Sequence, residues 1–135
     1  MRNLQTFVIS MLRSPERRER AQNELAKTNL NWQFLDAVDG KLLGNEVPGY
    51  DREKVRNLLG FELTPGELGV FLSHKSAWQA CVDKNLPTLI FEDDFVLLPH
   101  FEKTIDTLLA NPQDWDLVRL QALEESPFIL KKDFG

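Results

Sequence analysis

Thr88-Leu89-Ile90-Phe91-Glu92-Asp93-Asp94 is a short apolar run that ends in three consecutive acids. Leu89, Ile90 and Phe91 do not alternate with polar residues, so they predict a strand buried on both faces. Three carboxylates at the end of such a strand repel one another. Beside a core they also lose hydration, which is costly without a partner. A divalent cation relieves both problems, and hard oxygen ligands suit magnesium or manganese. Ligands of open α/β sheets sit beyond the carboxyl ends of the strands, where these acids fall. The plainer alternative is an acidic turn that solvates a loop and caps the next helix.

Working outward, the chain looks like one domain of 135 residues. A chain of this size buries roughly two thirds of its unfolded surface, enough for one core. The net charge of -5 disfavours a nucleic-acid binder, which needs a basic face for phosphates. The single cysteine, Cys81, excludes an internal disulfide and a cysteine-built zinc site, and fits a reducing compartment. No signal peptide is visible, and no apolar run reaches the length of a bilayer span. The expected compartment is the cytoplasm.

Upstream, Phe7-Val8-Ile9 predicts a first strand. Ser14-Pro15 suits a helix start, and a helix is expected from about Pro15 to Lys27. Arg17, Arg18 and Arg20 give it a basic face, expected to be solvated and paired with Glu16, Glu19 and Glu24. Arg13 lies in the turn itself and is the better candidate for a phosphate contact. Trp32 to Val38 predicts a second strand, closed by Asp39-Gly40. Strand, helix and strand in this spacing make the βαβ unit of a parallel sheet.

Asp51 is placed to cap a short helix. Thr64-Pro65-Gly66-Glu67 is a capping-box start for a helix running to Asp83 or Lys84. Val70, Phe71, His74, Ala77, Trp78, Cys81 and Val82 share one helical face, expected to pack inward. His74 within it is expected to be neutral and hydrogen-bonded, with a site role for His74 or Ser73 as the alternative. Gly66 and Gly69 invite close approach of another backbone. Pro99 is expected to start a further helix with Phe101, Ile105, Leu108 and Leu109 inward. Trp115 to Leu120 predicts another strand, and Phe128-Ile129-Leu130 an edge strand.

These blocks together resemble glycosyltransferase family 25, which includes bacterial lipooligosaccharide galactosyltransferases. Phe7-Val8-Ile9-Ser10 with Arg13-Ser14-Pro15-Glu16-Arg17-Arg18 is similar to the family's opening. Ala37-Val38-Asp39-Gly40 matches a second block. Leu63 to His74, with Trp78, resembles the most characteristic one. Ile90 to Asp94 corresponds to the acidic motif, and Asp116-Leu117-Val118 to the strand after it.

The resemblance implies a GT-A-like, Rossmann-like α/β fold with a mostly parallel sheet and flanking helices. It implies a UDP-sugar donor, expected to be UDP-galactose, and a manganese or magnesium ion. Glu92 and Asp94 are the expected metal contacts, since alternate residues of an extended segment share a face. Ser10, Arg13, Asp39 and Asp93 are expected in the donor pocket. Glu67, Ser73 and His74 are motif members without an assigned role, and no residue stands out as the catalytic base.

Two departures are small: Ser10 stands where asparagine is common, and Val70 where cysteine is. Family members usually run longer, so residues 1–135 are expected to be the donor-binding N-terminal half, truncated at the C-terminus. The implied acceptor is a lipooligosaccharide or lipopolysaccharide glycolipid. Peripheral attachment to the inner membrane of a Gram-negative bacterium and homodimerisation stay open. Two alternatives carry different chemistry. One is an inactive remnant that acts only in binding or assembly. The other is a receiver-type phosphoacceptor domain, disfavoured because Ser10-Met11 stands where an acidic pair is needed.

Overall fold

The computed structural model describes residues 2–121. The chain divides into two compact units, Met1–Val96 and Leu97–Gly135. The first unit is a parallel sheet with flanking helices. Its elements are β1 (Gln5–Ser10), α1 (Pro15–Leu25), β2 (Gln33–Asp36), a 3-10 turn (Gly40–Leu42), α2 (Arg52–Leu59), α3 (Pro65–Lys84) and β3 (Thr88–Glu92).

The strand order is β2-β1-β3, and both pairings are parallel. Its central place explains why β1, from Thr6 to Ser10, is the strand buried on both faces. The sequence alone predicts β3 as that strand. It buries Leu89 and Phe91, while Thr88 and Ile90 are half-buried and Glu92 is exposed. The difference follows from position: within this sheet β3 has one strand neighbour. Val8 and Leu25 are the largest apolar side chains to be fully buried, each contributing roughly 1.5–3 kcal/mol from apolar burial.

Helix α1 begins at Pro15, as the sequence predicts, but the Ser14 side chain makes no capping bond. Instead the Ser14 N–H donates to Met11 O at 3.1 Å and closes the strand-to-helix turn. Asp51 caps α2 by accepting from Lys54 N at 3.0 Å, and Gly60 ends it with a φ of 80°. That left-handed conformation favours glycine. The capping box of α3 is complete: Glu67 N donates to Thr64 Oγ1 at 3.3 Å, and Thr64 N donates to Glu67 Oε2 at 2.8 Å.

The buried face of α3 differs from the expected one. Leu68, Gly69, Ser73 and Ala77 are buried, whereas Val70, Phe71, Trp78 and Val82 are exposed. The cause is a close backbone approach. A Cβ on Gly69 would lie 2.6 Å from Val38 O and 2.9 Å from Gly40 N. A Cβ on Gly40 would lie 1.6 Å from Pro65 O. Only the small-residue face lets the helix come this near, so the large apolar residues turn outward. Gly66 has no such neighbour within 4 Å.

The second unit holds α4 (Phe101–Ala110) and a 3-10 turn (Pro112–Asp114). Ile105 is buried, and Phe101, Leu108 and Leu109 are half-buried. The strand predicted over Trp115 to Leu120 does not form: residues 115–121 carry no regular element. Trp115 Nε1 instead donates to Leu108 O at 2.9 Å, which ties the segment back onto the end of α4. The edge strand predicted at Phe128 to Leu130 lies outside the described residues. Among the described residues no helix is long and apolar enough to cross a membrane.

Candidate active site

Parallel pairing brings the carboxyl ends of all three strands to one edge of the sheet. Ser10 is level with Asp36, and Ile9 with Glu92. Asp93 is thereby delivered beside Ser10, and Ser10 Oγ donates to Asp93 Oδ2 at 2.5 Å. The first turns of α1 rise from the same edge. Arg17 Nη2 lies 2.6 Å from Asp93 Oδ1 and 3.2 Å from Asp94 Oδ2. One guanidinium therefore neutralises two adjacent carboxylates that would otherwise repel.

Arg18 holds the next strand end. Its Nη2 donates to Ser10 O at 2.8 Å and to Asp36 Oδ1 at 2.5 Å. Its guanidinium carbon sits 4.6 Å from the centre of the Phe34 ring, a favourable cation–π distance. The expectation that these arginines are solvated and pair along their own helix is corrected for Arg17 and Arg18. Their place in the first two turns after β1 aims them at the strand ends. That position is visible in the sequence, although the acids that meet them are distant in it.

Arg13 and Asp39 form an ion pair in which Arg13 Nη1 donates to Asp39 Oδ2. Asp39 Oδ1 also accepts from Lys41 N at 3.1 Å and so fixes the turn after β2. Ser10, Arg13, Asp39 and Asp93 thus all lie around the strand ends, joined in two groups.

Glu92 takes a different direction from its neighbours. Its Oε1 meets His74 Nε2 of α3 at 3.1 Å. Glu92 and Asp94 do not converge; Asp93 and Asp94 do, on Arg17. His74 is hydrogen-bonded, yet it lies beside exposed Trp78 rather than in the core.

Ser73 is buried and structural in its contacts. Its hydroxyl donates to Gly69 O at 2.7 Å and accepts from Val38 N at 2.9 Å, which anchors the exit of β2 to α3. Glu67 serves the helix cap. The Thr64 backbone N–H, and after it the Thr64 hydroxyl, holds the Glu67 carboxyl below the usual value of 4.5.

The donor set bears on whether a metal suits this site. Among the described residues no three His, Cys, Asp or Glu side chains are grouped to hold an ion. Magnesium, however, is commonly held by one or two carboxylates together with substrate phosphates. Asp93 and Asp94 supply such a pair, with the Ser10 hydroxyl next to it. The chemistry fits an ion shared with a diphosphate and does not fit a cage built by protein alone.

The family model for glycosyltransferase family 25, described as an LPS biosynthesis protein, matches residues 3–134. The chain belongs to glycosyltransferase family 25. A probable inactive glycosyltransferase 25 family member 3 from Bos taurus is 34% identical over 91% of this chain, which covers 22% of the relative. Procollagen galactosyltransferase 1 from Danio rerio is 34% identical over 84% of this chain and 20% of its own length. Procollagen galactosyltransferase 2 from Homo sapiens is 33% identical over 83% and 20%. This family 25 chain therefore spans about a fifth of the length of the curated relatives it matches. Within the family, names marked inactive stand beside names of galactosyltransferases.

Proposed function

We propose that this chain forms the nucleotide-sugar side of a glycosyltransferase with a GT-A-like fold, moving galactose from UDP-galactose to a glycolipid acceptor. The observation that carries the reading is the meeting of Ser10, Arg17, Asp93 and Asp94 at the carboxyl ends of β1 and β3. Charged groups of both signs at a parallel-sheet edge suit a diphosphate and its cation. The names of the procollagen galactosyltransferases support the sugar. The family description supports the lipopolysaccharide acceptor.

Asp93 and Asp94 would hold a manganese or magnesium ion, which, when bound, offsets charge on the departing nucleotide diphosphate. The chain's own residues do the positioning. Ser10 orients Asp93 through its hydroxyl. Arg18 neutralises Asp36 and steadies the carbonyl of Ser10, so the end of β1 is pre-organised. Arg17, which now pairs with both carboxylates, would have to yield them to a divalent ion, and its flexible stem would let it reach a diphosphate instead. Arg13 and Asp39 wall the side near β2.

Calorimetric titration with UDP and manganese chloride tests the reading. Binding is expected to require both the nucleotide and the metal, and to fall at least tenfold in Asp93→Asn, about 1.4 kcal/mol or more. No heat in the native protein, or equal heat without manganese, sinks it.

A second reading has its own support. Arg17 occupies the carboxylate pair, and several relatives are named as inactive. A chain that binds UDP-galactose and neither hydrolyses nor transfers the sugar fits an inactive, binding-only role.

A further inference from the structure

The outer face of α3 carries aromatic rings at helical spacing. Phe71 is 38% exposed and Trp78 is 46% exposed. The two rings meet edge to face with centroids 6.5 Å apart. His74 lies between them in sequence, its ring 6.0 Å from Trp78 and tilted at 50°. His74 Nε2 is in turn 3.1 Å from Glu92 Oε1. The opposite face of the same helix supplies the packing, through Leu68, Gly69, Ser73 and Ala77. The exposed rings are thus not what holds α3 to the sheet. Aromatic surface beside a few convergent polar groups is the make-up of a small-molecule site.

Glu92 links this face to the carboxylate pair. Glu92 and Asp93 are adjacent, so their Cα atoms are about 3.8 Å apart. Their side chains leave the chain toward different partners, His74 for one and Arg17 for the other. A ligand that bridges the two would place its anionic part at Asp93 and Asp94 and its next group at Glu92 and His74.

A pyranose suits that surface. Its C–H faces are apolar and stack on aromatic rings, while its hydroxyls donate to a carboxylate and exchange hydrogen bonds with an imidazole. A site built to hydrogen-bond hydroxyls also discriminates against ligands that lack them.

We propose that Trp78 and Phe71, with the His74–Glu92 pair, bind the hexose ring of the nucleotide sugar. The location rests on the donor reading of Asp93 and Asp94. Trp78 gives the ring a flat apolar support. Glu92 accepts from sugar hydroxyls, and His74 keeps that carboxylate oriented. These are binding roles, and none of the four residues is assigned a chemical step.

The test compares UDP with UDP-galactose by calorimetry in manganese chloride, for the native chain, Trp78→Leu and Glu92→Gln. Trp78→Leu is expected to weaken UDP-galactose by roughly three- to tenfold, the span an aromatic contact is worth. UDP itself is expected to stay within about twofold, and Glu92→Gln to follow the same pattern. Equal losses for both ligands, or no loss for either, overturn the hexose face and leave the donor site standing. Saturation-transfer NMR with methyl β-galactoside separates the two ideas if UDP does not bind. Transfer to the sugar that is lost in Trp78→Leu supports the face although the donor reading has failed. Absence of transfer in the native chain overturns the face as well. Phe71→Leu, with circular dichroism on each variant, distinguishes lost contact from lost folding.

Discussion

Ser10 Oγ donates to Asp93 Oδ2 at 2.5 Å, joining the ends of two parallel strands across 83 residues of chain. The bond satisfies a carboxylate that is largely withdrawn from solvent, with only a tenth of its side chain exposed. Ser10→Ala removes that donor and leaves Asp93 to Arg17. Hydrogen bonds to charged groups are worth about 1.5–3 kcal/mol. The variant is expected to lose up to that amount in urea unfolding, and to bind UDP–manganese more weakly. An unchanged midpoint with unchanged binding counts against any role for the bond.

Arg17→Leu separates the guanidinium from the carboxylates. Asp93 and Asp94 then face each other without their shared cation. Manganese binding without nucleotide is expected to tighten on the order of tenfold, about 1.4 kcal/mol. UDP–manganese is expected to weaken, because the arginine is no longer there to meet the diphosphate. Manganese titration followed by electron paramagnetic resonance reads the first effect. Unaltered metal affinity would show that Arg17 does not compete for the pair.

Gly69→Ala and Gly66→Ala form a matched comparison within one helical turn. A Cβ at Gly69 meets Val38 O at 2.6 Å, and neither that carbonyl nor Gly40 can move cheaply. Overpacking of this kind costs typically about 1–3 kcal/mol. At Gly66 the added methyl enters open space, so alanine is expected to be neutral or stabilising by up to roughly 1 kcal/mol. Thermal unfolding of both variants decides. A Gly69→Ala protein as stable as the native one would contradict the close approach.

The cap of α3 predicts a pH dependence. Hydrogen bonds from Thr64 lower the folded pKa of Glu67 from 4.5. A depressed carboxyl stabilises the fold above its unfolded pKa, and that contribution is lost as pH falls through the folded value. Glu62 behaves alike, lowered chiefly by its hydrogen bond from Arg56 and then by Arg52. Melting temperature should therefore fall on acidification below about 4.5. The fall should be shallower in Glu67→Gln, which has no carboxyl to titrate. Identical slopes would show that the Glu67 carboxyl does not contribute to the acid sensitivity of the fold.

Local chemistry explains which parts of the architecture could be read in advance. Thr64, Pro65 and Glu67 act within one turn, so the start of α3 was legible. The apolar run of β1 and the turn at Asp39-Gly40 were legible for the same reason, whereas the half-buried state of β3 depends on its place at the side of the sheet. The buried face of α3 was not. Periodicity finds which residues share a face, but here a backbone contact between Gly69 and Gly40 selects the small face over the large one. Arg17 and Arg18 were hidden because their partners, Asp93, Asp94 and Asp36, reach them only through parallel pairing. The direction of Glu92 toward His74 likewise depends on how β3 packs beside α3, which spacing along an extended segment cannot reveal.

Gly40 and Pro65 have a mechanical consequence. With no room for a side chain between them, the turn carrying Asp39 and the first turn of α3 are expected to move together. Displacement of Asp39 by a ligand is then expected to reach Thr64 and Glu67 without passing through the sheet. In hydrogen exchange, the amides of Lys41, Leu42 and Leu68 should open together, with one shared free energy, as a single cooperative segment. A ligand at the strand ends would protect all three at once, which makes the α3 cap a remote reporter of an occupied site.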